Sequence, residues 1–325
     1  MQIRTTIAIL IILGLTYSGC TINSDVKVVK VGLTHAQSHS FAQALEKFKA
    51  CVEEKTQGQY EIRIFHSSQL GGEKEMQEML TLGSLEISLS GVINTYEPMF
   101  AIFEMPFLYR DRDHVVKVNN SEVMDEVSGP LQSQGIRLVG FYENGFRNIT
   151  NSVRPIEVPA DVDGLKIRTP ENPAQIETMR ALGAIPTPMS FSELYTALVQ
   201  GVVDGQENPL QNIWFNRLHE AQPYLAMTRH IYNSLYILAS DRFWRQLPAD
   251  DQHLFKDCLL ESSLWQLNYM KSLDRELEQE MKDYGIEITY PDRKIFEQAA
   301  LPAYEAIYDQ LGDEARKYVE RIKSM

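Results

Sequence analysis

Two arginines and an asparagine stand at breaks in this chain where a small carboxylate could be gripped. Arg147 lies in Gly145-Phe146-Arg147-Asn148, Arg168 closes the short apolar run of Gly164-Leu165-Lys166-Ile167-Arg168-Thr169-Pro170, and Asn208 sits in Gly205-Gln206-Glu207-Asn208-Pro209. An arginine at the end of such a run falls where a strand opens into a loop, a place where a rigid scaffold presents ligand-binding groups. Its planar fork matches a carboxylate in two parallel hydrogen bonds, which a lysine ammonium cannot do. The chemistry these types point to is capture of an organic anion. The competing reading makes Arg147 and Arg168 surface arginines paired with some of the many acids, and makes Asn208 a turn initiator before Pro209.

The elements that must hold these groups follow from hydrophobic spacing. Val26 to Leu33 is apolar-rich and strand-like, and a helix follows with the stripe Phe41, Leu45, Phe48 and Val52, ended by Gly58. Tyr60 to Phe65 alternates as a second strand, Gly71-Gly72 opens a helix through Met76, Met79 and Leu80, and Glu86 to Val92 is a third strand. The rhythm restarts at Arg137 to Tyr142 and at Gly164 to Arg168, with helices over Pro173 to Leu182 and Ser190 to Gln200. Strand, helix, strand at this pitch predicts an α/β fold with parallel pairing, in two units side by side. Ser190 with Glu193 three residues on fits a capping box. Between Ala249 and Tyr284 there is neither glycine nor proline, and Met270, Leu273, Leu277, Met281 and Tyr284 form one seam. That stretch predicts either one helix of roughly 50 Å bracing both units or two helices with a bend. A last helix, Leu311 to Ile322, reads as polar on most faces.

Composition narrows the class. The 325 residues are 44% hydrophobic and 23% charged, as in a soluble globular chain long enough for two domains. A formal net charge of −13 argues against nucleic acid and against docking on an anionic bilayer by charge. An acid would therefore have to be captured inside a cleft that concentrates positive potential. At the N-terminus Arg4 precedes the apolar run Ile7 to Leu15 and then Thr16-Tyr17-Ser18-Gly19-Cys20. This is the pattern of an export signal over residues 1–20, too short in its apolar core for a membrane span of about 20 residues. Small residues before Cys20 fit a bacterial lipoprotein site, although Tyr17 stands where leucine matches better. The expected location is the periplasm, with a lipid on Cys20 or ordinary cleavage nearby. Cys51 and Cys258 both read as helical; their pairing is left open, and free buried thiols are favoured.

Signals for an enzyme are absent from the sequence. There is no Gly-x-Ser-x-Gly elbow, no phosphate loop and no dinucleotide fingerprint, so no cofactor is expected. His35 and His39 have a spacing that could serve zinc, but no third ligand lies nearby, and loop and cap histidines are expected instead. The adjacent acids Glu53-Glu54 and Asp250-Asp251 diverge on a helix and read as solvated faces.

Several motifs occur together and in order. They are Gly164-Leu165-Lys166-Ile167-Arg168, the run from Pro186-Thr187-Pro188-Met189 through Ser190-Phe191-Ser192-Glu193-Leu194-Tyr195, and Val203-Asp204-Gly205-Gln206-Glu207-Asn208-Pro209. With Ser68-Gln69-Leu70-Gly71 and Tyr224-Leu225-Ala226-Met227-Thr228, they resemble the extracytoplasmic solute-binding proteins of tripartite ATP-independent periplasmic (TRAP) transporters. The resemblance runs from Val26 to the C-terminus. It implies two α/β domains joined by crossing strands and a long helix, closing on an organic acid that is then passed to membrane permease subunits. The implied division is 26–145 with 234–278, and 146–233 with 279–325. Carried over by motif, Arg168 forms the main salt bridge to the ligand carboxylate, Arg147 is a second ligand-facing arginine, Asn208 fixes the carboxylate from the other side, and Phe191 packs on ligand and arginine. Glu73 and His35 sit where contacts to the rest of the ligand vary.

Hydroxyls on the ligand need fixed partners, and Glu73, Asn148, Asn208 and either Gln211 or Asn212 are expected to supply them. A carboxylate at Glu73 repels a second acid group and accepts from hydroxyls, which favours a uronate or aldonate over a C4-dicarboxylate, with sialic acid as an alternative. The same clamp could also serve a sensor or an ATP-driven importer.

Overall fold

The computed structural model describes residues 26–325, so the export signal and Cys20 lie outside the described residues. In the first half, strands β1 (Lys27–Gly32), β2 (Tyr60–Phe65) and β3 (Ile87–Ser90) are parallel, with helices α1 (Ser40–Lys55) and α2 (Glu73–Leu82) as crossovers. A 3₁₀ turn, Pro98–Glu104, leads to α3 (Arg112–Asn119) and α4 (Glu122–Ser128), and then to the 16-residue strand β4 (Ile136–Asn151). The second half repeats the theme with β5 (Lys166–Thr169), α5 (Pro173–Ala181), β6 (Ile185–Pro188), α6 (Phe191–Val199), β7 (Gly205–Asn208) and α7 (Leu210–Phe215). The chain returns along the 17-residue strand β8 (Tyr224–Ser240), followed by α8 (Asp241–Gln246), α9 (Ala249–Tyr284), β9 (Glu287–Thr289), α10 (Arg293–Ala300), α11 (Pro302–Leu311) and α12 (Asp313–Ser324).

The two expected α/β units share one sheet, in the order β2-β1-β3-β8-β4-β7-β5-β6 with β9 on β8. Antiparallel β4 and β8 run through both halves, paired from Ile136 with Ser240 to Asn151 with Tyr224. The pairing slips three times, between Leu138 and Gly140, Glu143 and Gly145, and Arg147 and Ile149. Gly145, at φ 112, takes a backbone conformation that a side chain would resist. At the last slip one residue of β4, Asn148, faces four of β8, and Arg229 bulges out at φ 47.

Helix α9 is continuous over 36 residues and braces both halves. Its Phe255, Cys258 and Leu259 enter the core of the first half with Phe41, Phe48 and Tyr60. Its Met270, Leu273, Leu277 and Met281 enter that of the second with Leu194, Ile213 and Leu225. Tyr284, the last residue of the expected seam, is mostly exposed and meets the His219 and Trp214 rings at right angles.

Three expectations need correction. Cys51 of α1 and Cys258 of α9 are joined in a disulfide with Cα atoms 5.7 Å apart, not left as free thiols. Their partnership is set by the packing of two helices 207 positions apart, which no local pattern reveals. The last helix begins at Asp313, because Gly312 at φ 84 separates it from α11, and it buries Ala315, Val319 and Ile322. Those residues and Ile307 join a core with Met76, Phe103 and Val118, so α12 packs with the first half although it belongs to the 279–325 stretch, while α11 lies between that core and α5 of the second half.

Candidate functional site

A cavity of about 810 Å³ opens between the halves at the carboxyl ends of the short parallel strands. The first half contributes His35, the start of α2 at Gly72 and Glu73, and Gly91-Val92; the second contributes Arg147, Arg168, Asn208 and the start of α6. Ligands of open α/β sheets bind at such strand ends, where helix N-termini add positive potential. Across the mouth, Lys74 Nζ lies 2.7 Å from the Glu171 carboxylate and Asn94 Nδ2 donates to Glu171 O at 3.0 Å, so the two halves already touch.

Arg168 occupies the position expected of it. It stands near the end of β5 and is only 2% exposed, yet no carboxylate forms a salt bridge with it among the described residues. Nε and Nη2 donate to Met189 O at 3.1 and 2.8 Å, which aims the fork and leaves Nη1 without a protein partner. Burial, then the Arg147 cation, pushes its pKa down to about 10. The Phe191 ring lies 5.8 Å from the guanidinium and stacks on His35 at 4.9 Å. Glu207, Glu73 and Glu171 offset part of that burial cost from a distance, but none contacts the fork, and an anion placed at Nη1 would be stabilised there.

Arg147 also lines the cavity, but its charge is already held. Its Nε and Nη2 donate to both Glu207 carboxylate oxygens, the second at 2.8 Å, and His230 Nε2 is 3.2 Å from Glu207 Oε2. Burial alone would raise the Glu207 pKa; Arg147 and His230 outweigh it and hold the carboxyl below its usual range. The expected arginine pair is thus one unpaired cation beside one neutralised cation. Glu207 lay inside a motif already singled out, and its pairing was hidden because it depends on the β4–β7 contact.

Glu73 begins α2, and its Oε2 accepts from Ser90 Oγ at 2.7 Å, Gly91 N at 2.8 Å and Val92 N at 3.2 Å. Its Oε1 is left for the cavity, and burial raises the pKa. His35 is buried, and desolvation, then His39 and Arg147, keep its pKa well below the usual value, so the ring is neutral. His39 caps α1 by accepting from Phe41 N, and burial pushes its pKa down to about 3. Among the described residues no three His, Cys, Asp or Glu side chains are grouped to hold a metal.

Asn208 faces the cavity with Oδ1 accepting from Asn212 Nδ2 at 2.9 Å. Asn148 does not: the alternation of β4 turns it to the other side of the sheet, where it borders a small recess with Phe146 and Arg229. Gln211 is likewise withdrawn, fully buried between Ser40 Oγ at 2.5 Å and Asn144 O at 3.0 Å. Of the pair Gln211 and Asn212, it is Asn212 that reaches the cavity. The Glu193 carboxylate accepts from Ser190 N at 3.2 Å, while Ser190 Oγ meets Ser192 Oγ at 2.7 Å.

Asn144, Asn233 and Gln175 line the same cavity, and sequence reasoning passed over all three. One signal was available. Tyr142-Glu143-Asn144-Gly145 breaks the apolar alternation in what proves to be the middle of a buried strand, and polar residues there need partners.

Comparison with known proteins agrees with this geometry. The family described as bacterial extracellular solute-binding protein, family 7, matches residues 31–311. The 2,3-diketo-L-gulonate-binding periplasmic protein YiaO of Escherichia coli is 32% identical over 306 residues, covering 92% of this chain and 92% of YiaO. The sialic acid-binding periplasmic protein SiaP of Vibrio cholerae is 31% identical over 315 residues, covering 95% of each. A solved TRAP periplasmic solute-binding protein from Polaromonas, bound to D-erythronate, matches with a TM-score of 0.87 at 31% identity, covering 92% of this chain and 99% of that one. A family match over most of the chain and relatives of this identity and coverage make the chain a member of family 7 of the bacterial extracellular solute-binding proteins, the periplasmic components of TRAP transporters.

Proposed function

We propose that this chain captures a polyhydroxylated monocarboxylate of the aldonate or uronate class, closes on it, and hands it unchanged to the membrane permease subunits of its transporter. The observation that carries this reading is the Arg168 guanidinium, buried, with its Nη1 free and no carboxylate within salt-bridge distance among the described residues. A ligand carboxylate supplies that charge, with Asn208 beside it and Phe191 covering the pair. The free Glu73 oxygen accepts from ligand hydroxyls. A second carboxylate would need a second free cation, and Arg147 is committed to Glu207, which disfavours a C4-dicarboxylate. Relatives that bind a diketogulonate and an erythronate support the class. Sialic acid, also a hydroxylated monoacid, is the second reading, supported by the kinship with SiaP. Closure shifts an open population to a closed one, and no bond of the ligand is made or broken.

A thermal-shift screen of residues 21–325 against aldonates, uronates, sialic acid and C4-dicarboxylates tests this. Ligand at a hundred times its dissociation constant adds about 2.7 kcal/mol, a visible rise in Tm. A rise with dicarboxylates alone, or with no acid at all, defeats the reading. In the same screen Glu73→Gln is expected to change the ranking among hydroxylated acids while all still bind; an equal loss for every ligand would remove Glu73 from selection. The lipid on Cys20 belongs to the same proposal, and the mass of the mature N-terminus from native membranes tests it: a polypeptide beginning elsewhere excludes the anchor.

A further inference from the structure

A line of side-chain amides runs behind the cavity wall, and its direction is fixed at one end. Phe41 N donates to His39 Nδ1 at 3.3 Å, so the proton of this neutral ring is on Nε2, which donates to Asn212 Oδ1 at 2.8 Å. Asn212 Nδ2 then donates to Asn144 Oδ1 at 3.1 Å, and Asn144 Nδ2 donates to Asn233 Oδ1. Asn233 has only its Nδ2 left for Glu104 Oε1, at 2.5 Å. The other carboxylate oxygen, Oε2, accepts from Gln175 Nε2 at 2.6 Å. Gln175 lines the cavity, and its Oε1 is buried with no hydrogen-bond partner. Such an orphaned acceptor is costly unless something meets it.

We propose that Glu104 and Gln175 form a proton-linked specificity element of the cleft, in which the proton on Glu104 decides whether Gln175 presents its oxygen or its N–H to the ligand. With Glu104 ionised, both of its oxygens accept, and Gln175 offers Oε1 as an acceptor. With Glu104 protonated, Asn233 still holds Oε1, so the O–H sits on Oε2 and needs an acceptor. A half-turn of the Gln175 amide supplies one and brings Nε2 to the cavity as a donor. A ligand hydroxyl satisfies both arrangements because it donates and accepts. A ligand carbonyl only accepts, so it satisfies the protonated arrangement alone. The element therefore discriminates keto from hydroxy acids, and the discrimination depends on pH.

The surroundings place the transition in reach. Burial pushes Glu104 up to about 8, against the Arg147 cation, with Glu207 and Glu73 adding to the rise and the Asn233 hydrogen bond opposing it. Tyr109 and Tyr236 also face this carboxyl, and burial raises both phenols, so they stay neutral.

The inference rests on the cleft being the acid-binding site, so its first test uses no ligand. In the mature chain the side-chain amide resonances of Gln175, identified by their loss in Gln175→Met, are expected to shift with a midpoint near about pH 8. In Glu104→Gln they should not move with pH, because the amide oxygen accepts from Asn233 and the amide N–H donates to Gln175, as the protonated acid does. Resonances that fail to titrate in the folded wild type, or that still titrate in Glu104→Gln, overturn the proposal. The second test is calorimetry with D-gluconate, 2-keto-D-gluconate and 5-keto-D-gluconate. The keto-to-hydroxy affinity ratio should fall about tenfold from about pH 6 to about pH 9.5 in wild type and stay constant in Glu104→Gln. A constant wild-type ratio for both keto acids also overturns it. If none of the three binds, the sugar-acid reading fails, and the resonance titration still decides the fate of the pair.

Discussion

Replacing Arg168 with alanine is expected to weaken acid binding by about a hundred- to several-thousandfold while the protein stays folded. The magnitude follows from what the mutation strands: a bound carboxylate would sit in a closed cleft without its counter-charge, a loss of about 3–5 kcal/mol at about 1.4 kcal/mol per tenfold. Stability should move the other way. Burial, then Arg147, holds the Arg168 pKa at about 10, below its usual value, so the ligand-free fold bears the cost of a buried cation that Glu207, Glu73 and Glu171 offset only in part. Because the folded-state value is the lower one, that cost is present in full at neutral pH and is relieved only as pH climbs through about 10. It amounts to about 3 kcal/mol. Arg168→Met, which keeps much of the volume, should therefore melt at or above the wild type without ligand and gain nothing when the acid is added. Calorimetric titration and melting of both variants measure the two effects. Undiminished affinity in a folded variant would show that the carboxylate is bound elsewhere.

Reducing the Cys51–Cys258 disulfide is expected to remove about 5 kcal/mol of stability, from the loop entropy released when a link across 207 positions is lost. The bond ties α1 to the first half of α9, far along that helix from its contacts with the second half. Melting with and without a reductant, and of Cys51→Ser, should show a drop of several degrees, with acid affinity at low temperature nearly unchanged because neither cysteine borders the cleft. An unaltered melting temperature after verified reduction would mean that the helix pair restrains the unfolded chain little.

How far the sequence alone carried depended on the range of the interaction involved. The α1 stripe, the Tyr60 to Phe65 strand and the unbroken α9 were legible because hydrophobic spacing and the absence of glycine and proline are local facts. The strand β8 was not, and of β4 only Arg137 to Tyr142 was. Both are buried along most of their length, so they lack simple alternation, and their polar centres are satisfied by partners from distant segments. Arg168, Phe191, Asn208, Glu73 and His35 all reach the cavity. Asn148 failed on strand parity, since its neighbour Arg147 points into the cleft and it must point away. Gln211 failed because α7 turns it toward Ser40 and the β4 backbone, one position short of Asn212. The neutralisation of Arg147 required knowing that β7 lies against β4.

The path of the chain through its two halves also limits how the molecule can be divided. It leaves the first half along β4, returns along β8, crosses again within α9, and ends with α11 against α5 and α12 back on the first half. A break after any single residue leaves both halves short of a strand or a core-forming helix. Neither lobe is a single contiguous stretch of chain, so neither can be excised by one cut as an independent module.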